Sequence, residues 1–129
     1  MMEISEILDM LDWHMPPETQ AEGVALAAEL GVVEPFLQPL TQEHNKNVWD
    51  NCAKIIAGKR DGELEAHLTG LLEWLQDMNW PGSFIILERL KEYADTDALR
   101  TAADACIQQA RSSGDPVWEE NIRSVMLLR

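Results

Sequence analysis

The chain has 129 residues, enough for one domain with a full core and too few for two. Hydrophobic residues make up 46% and charged ones 26%, a globular balance, yet 23 acids against 10 bases leave a net charge of −13. That sign speaks against nucleic acid as a ligand, whose phosphates demand Lys and Arg, and against anionic membrane surfaces.

Apolar residues recur at helical spacing almost throughout. Ile4, Ile7, Leu8 and Leu11 predict an opening amphipathic helix. Ala21, Val24, Ala25 and Ala28 predict a second one, with a stripe small enough for close approach, and Gly31 stops it. Pro35 stands near the start of a short segment from Glu34 to Leu40. Asn47 reads as the cap of a helix carrying Trp49, Asp50, Cys52, Ile55 and Ile56. A loop over Gly58 to Gly62 leads to the clearest stripe: Leu64, Leu68, Leu71, Leu72 and Leu75. Asn79 as cap and Pro81 as first-turn residue restart a helix through Phe84, Ile86, Leu87 and Leu90. Asp97 reads as the next cap, ahead of Leu99, Ala102, Ala103, Cys106, Ile107 and Ala110. Asp115-Pro116 begins the last helix, through Trp118, Ile122, Val125 and Met126. Strand signals are almost absent, so the expected fold class is all-α.

An internal repeat accompanies this pattern. Asp12-Trp13-His14-Met15-Pro16 and Asp77-Met78-Asn79-Trp80-Pro81 share an Asp, a bulky apolar residue and a Pro in register. Lys46-Asn47-Val48-Trp49 and Asp115-Pro116-Val117-Trp118 occupy equivalent helix starts. Aligning Met15, Trp49, Trp80 and Trp118 gives spacings of 34, 31 and 38 residues. Such a period predicts a HEAT-like α-solenoid of about four stacked helical-pair repeats, starting near 12, 46, 77 and 115. The repeats form a single compact domain over residues 1–129. Trp13, Trp49, Trp74, Trp80 and Trp118 are core candidates first, with Trp74 the one held open for the surface. Trp74 falls at the edge of the leucine stripe, where a half-exposed Trp would suit a protein interface.

Chemistry-bearing motifs are scarce. His14, His44 and His67 lack partners at metal-ligand spacing, apart from Glu63 four residues before His67, which reads as a surface helix contact. No nucleotide-binding or nucleophile motif occurs, so no catalytic, cofactor or metal site is expected and the protein reads as no enzyme. Asp12 and Asp77 read as turn or capping residues rather than an acid–base pair. Cys52 and Cys106, each within an apolar helical pattern, read as two buried free thiols. The acidic start Met1-Met2-Glu3-Ile4-Ser5-Glu6 is unlike a signal peptide, and no apolar run reaches membrane-span length. A cytoplasmic protein is the expectation.

The segment Leu71-Leu72-Glu73-Trp74-Leu75-Gln76-Asp77-Met78-Asn79-Trp80-Pro81, followed by Asp115-Pro116-Val117-Trp118, resembles a family of small uncharacterised bacterial helical proteins. The resemblance covers residues 64–128 and departs at Gly82-Ser83, where a bulkier apolar residue is usual. It implies a HEAT-type domain and a link to bacterial toxin–immunity systems, with no catalytic residues to carry over. Residues 1–45 hold nine acids and no Lys or Arg. The function expected from these features is a protein-binding module, an immunity-like inhibitor of a basic toxin domain. Its contacts would include Glu3, Glu6, Asp9, Glu18, Glu22 and Trp74. The competing expectation is a cytosolic scaffold or regulatory adaptor of another protein.

Overall fold

The computed structural model describes residues 3–126. These are all-helical, with no strand among them. Helix α1 (Ile4–Met10) buries Ile7 and Leu8, and α2 (Pro17–Ala28) starts on a proline whose missing N–H costs nothing there. A connecting segment then crosses back, with one 3₁₀ turn at Glu34–Phe36 that buries Phe36. Within it Gln38 takes a φ of +44°, a conformation few non-glycine residues adopt. Helix α3 (Lys46–Ala57) is strongly amphipathic and buries Val48, Trp49, Cys52, Ile55 and Ile56.

The leucine stripe forms a broken helix rather than one rod: α4 (Asp61–Leu64), a 3₁₀ turn, α5 (Leu68–Glu73) and a second 3₁₀ turn at Trp74–Gln76. Then come α6 (Ser83–Lys91), α7 (Thr96–Ser112) and α8 (Pro116–Met126). Packing follows a regular order. Helix α1 lies on α2, α2 on α3, α3 on α6 and α6 on α8, while α5 lies on α7 and α7 on α8. Asn51 of α3 reaches Gln20 of α2, and Lys59 beyond the end of α3 reaches Leu30 beyond the end of α2, so these two helices run the same way.

Several expected caps move by a few residues. Asn45 rather than Asn47 is the N-cap of α3, and Asp95 rather than Asp97 caps α7 by accepting from the Ala98 N–H at 3.0 Å. Asn47 instead lies in the first turn, and its side-chain amide donates to Asp12. Asp115 does cap α8, accepting from the Trp118 N–H at 3.0 Å. Before α6 the cap position belongs to Gly82 (φ +87°) and not to Asn79, because the chain turns there against α3. The buried face of α2 also differs: Gly23 and Ala27 face inward, while Ala21, Ala25 and Ala28 are exposed. Ala27 and Gly23 are four apart and share one stripe, which an alanine-rich helix does not advertise by hydrophobicity.

Tryptophans fasten the centre. Trp49 meets Trp74 edge-on at 6.2 Å and Trp80 at 5.6 Å. Each fully buried indole has its N–H satisfied: Trp49 by the Pro39 carbonyl, Trp74 by Pro81 and Trp118 by Leu72. Cys52 and Cys106 are buried free thiols, as expected. Burial pushes the Cys52 thiol up to about 12 and that of Cys106 to about 11, which leaves neither reactive.

Candidate protein-binding surface

The surface expected to bind is built from α1, α2 and the turn between them. Glu3, Glu6 and Asp9 are exposed on or just before α1, and Glu18 and Glu22 are exposed along α2. The five acidic residues proposed from sequence thus share one helical pair. Trp74 does not join them. It is completely buried, because the backbone tightens into a 3₁₀ turn at Trp74 and swings the indole against Trp49. Its assignment as a surface contact is therefore corrected: Trp74 is a core residue.

The exposed tryptophan is Trp13, half accessible in the α1–α2 turn, with Met15 also exposed beside it. Trp13, a core candidate by residue type, is thus a surface residue. The signal for this was present, since Trp13 falls off the Ile4, Ile7, Leu8, Leu11 stripe in a segment that ends at Pro16.

Hydrogen bonds tie this end together. Asp9 Oδ1 lies 2.7 Å from Nε2 of the buried His44, tying α1 to the residues before α3. Asp12 accepts from the His14 N–H at 2.8 Å and from the Asn47 amide at 2.9 Å. These donors, the backbone one foremost, hold the Asp12 carboxyl below the usual carboxylate range, so it stays ionised. Asp77 accepts the Asn79 N–H at 2.8 Å in the same two-residue turn, matching the turn role expected for both aspartates. At the far end Glu119 bridges Arg111 and Arg123, and their hydrogen bonds lower its carboxyl to about 2.

An open cleft of about 610 Å³ lies between the crossing segment and α4, lined by Val32, Val33, Glu34, Pro35, Glu63 and His67. Glu63 there accepts from the Arg60 backbone N–H in a capping arrangement, and no pairing of it with His67 is seen. No group of three or more His, Cys, Asp or Glu side chains among the described residues could hold a metal ion. No helix among them is long and apolar enough to cross a membrane.

Fold and surface together define an all-helical domain with a segregated acidic end. Residues 44–128 match the family described as a domain of unknown function, DUF5071, and the chain belongs to that family. Comparisons with curated proteins and with solved structures return no significant match. The family match covers α3 to α8 and starts twenty residues before the sequence resemblance at residue 64. Helices α1 and α2 lie outside it. All nine acids of the first 43 residues therefore belong to a segment packed on the family unit rather than to the unit itself.

Proposed function

We propose that the chain is a non-enzymatic, cytoplasmic protein-binding module whose acidic α1–α2 end engages a basic protein, as an immunity-like inhibitor engages a toxin domain. One observation carries the reading: nine carboxylates with no Lys or Arg among them lie at one end of the chain, and their ion contacts go to histidines, Asp9 to His44 and Asp12 to His14. Carboxylates gathered at one end without Lys or Arg among them steer a cationic partner towards it. Two inert thiols suit a reducing compartment. The toxin link rests on the sequence resemblance, and the binding face lies outside the family match, so the partner would be particular to this protein.

We read the architecture behind this surface as HEAT-like. The order α2, α3, α6, α8 in one row, with α5 on α7 beside it, supports stacked helical pairs, and the matched turns at Asp12 and Asp77 support a repeat. In place of a regular second helix, the pair containing α3 is preceded by the crossing segment with its single 3₁₀ turn.

Affinity capture with the purified protein, followed by binding to each captured partner across a salt series, tests the function. A basic partner that dissociates at high salt, and binds at least tenfold more weakly to the Glu6→Lys/Glu18→Lys/Glu22→Lys variant, is the expected result. Asp9 is left intact because it holds His44. Partner binding indifferent to the charge reversal would sink the acidic-surface reading and favour an adaptor that uses another face.

A further inference from the structure

The turn between α1 and α2 is unusually well fixed for a segment that displays a tryptophan. The Trp13 N–H donates to the Asn47 carbonyl at 3.0 Å, and the Met15 N–H to the Asp12 carbonyl at 2.9 Å. Gln20 closes the turn by donating to the Met15 carbonyl at 2.7 Å, and Asn51, itself buried, holds Gln20 at 2.9 Å. Asp12 binds the His14 N–H on one oxygen and the Asn47 amide on the other. In the corresponding turn at Asp77 the residue in register with Trp13 is Met78, partly buried against the core, whereas Trp13 is 50% exposed. The backbone that carries this ring is already fixed while the ring itself is left in water, so binding orders little of the chain there, which suits an interface anchor.

The charges around it select the partner. Asp12 lies in the same turn, Asp9 one helical turn before it, Glu18 in the first turn of α2, and Glu43 just ahead of α3, whose Asn47 bonds the Glu43 carbonyl. No Lys or Arg occurs from residue 3 to residue 45. A second copy of the chain would bring the same uncompensated acids against these, so self-association is disfavoured. An arginine satisfies both features at once, since its flat guanidinium stacks on an indole while its edge donates to carboxylates. Lysine offers a compact charge and fits the pair less well.

We propose that Trp13 is the anchor of the acidic surface and receives an arginine from a basic segment of the partner protein. This rests on the function proposed above and deepens it by naming the contact and the partner's chemistry.

The probes are two labelled peptides, alternating Arg-Gly and alternating Lys-Gly, followed by fluorescence anisotropy at fixed low salt. Wild type binds the arginine peptide more tightly than the lysine one. Trp13→Ala weakens the arginine peptide about tenfold and abolishes that preference, with the circular dichroism spectrum unchanged. Glu18→Lys/Glu22→Lys weakens both peptides alike. Equal binding of the arginine peptide by Trp13→Ala and wild type overturns the anchor and leaves the acidic surface standing. Full binding by the charge-reversal variant overturns the acidic surface beneath it. A free dimer in sedimentation that Trp13→Ala dissolves would give the ring to a second copy and overturn the proposal as well.

Discussion

Gly82 shows how a single residue without a side chain can fix an arrangement of large ones. Its φ of +87° is one that residues with a Cβ rarely adopt, and an added Cβ would fall 2.7 Å from Ala53 Cβ and 2.9 Å from the Trp49 carbonyl oxygen. Ser83 follows with its buried hydroxyl 3.0 Å from the Trp74 carbonyl and 2.9 Å from that of Asp77, closing the turn from inside. The turn these two residues make serves a contact between α3 and α6 that no local signal encodes. Gly82→Ala is therefore expected to cost about 3 kcal/mol, from left-handed strain plus the forced separation of α6 from α3. Urea unfolding would show a lower midpoint at unchanged slope. A loss below about 1 kcal/mol would mean that the two helices part easily. Trp13 and Trp74 carry the same lesson about sites. Both are core candidates by residue type and only Trp74 is set apart by its stripe-edge position, yet Trp74 is buried and Trp13 exposed, because a 3₁₀ turn rotates Trp74 inward while Pro16 ends the segment that holds Trp13.

At the scale of elements, helix existence was legible from the spacing of Ile, Leu and Val, although the longest stripe, Leu64 to Leu75, is divided by 3₁₀ turns that its spacing does not show. Caps and faces were less legible. Asx residues cluster before α3, α6 and α7, so composition alone does not say which of them turns the chain. The α1–α2 contact is the plainest case, since it is made at a glycine. A Cβ on Gly23 would meet Met10 Cβ at 2.8 Å and Leu11 Cδ2 at 3.0 Å, so the two helices touch almost backbone to backbone. Helix propensity favours alanine over glycine by about 1 kcal/mol, and here packing opposes it. Gly62 in α4 is the control, with open space where a Cβ would sit. Gly62→Ala should stabilise by about 0.5–1 kcal/mol, and Gly23→Ala should destabilise by about 1–2 kcal/mol because neither Met10 Cβ nor the backbone beneath it can swing aside. Thermal melts of the two variants beside wild type decide it. Stabilisation by both would show that α1 is loosely docked, and the acidic surface would lose its fixed geometry with it.

For the whole molecule, the decisive asymmetry is between a family unit of moderate charge and an N-terminal segment of −9. Residues 44–129 hold 14 acids and 10 bases, or −4, and residues 1–43 hold nine acids and no base, which together give −13. That division was readable in the sequence; that both α1 acids and α2 acids end on one helical pair was not, because it depends on α1 folding back onto α2. Lys59 helps to join the two parts, its buried amine donating to the Leu30 carbonyl at 2.7 Å just beyond the C-terminal end of α2, where a cation is favoured. Elsewhere, Glu119 pairs with two exposed arginines, while the nearly buried Arg89 pairs with Asp61 across 28 residues and is screened little by salt. Added salt therefore acts in two directions, screening the exposed attractive pairs and also the mutual repulsion of the carboxylates. The repulsion extends over many partners at longer range, and exposed pairs contribute little each, so repulsion wins. Raising sodium chloride from about 20 mM to about 0.5 M should increase stability by roughly 1 kcal/mol, or about 4 °C in Tm for a chain of this size. Glu18→Lys/Glu22→Lys should melt higher than wild type at low salt and gain less from added salt, because it removes part of the repulsion that salt would screen. A Tm that stays flat or falls as salt rises would show instead that the attractive pairs govern the fold, and that its acidic end is already neutralised by contacts within the chain.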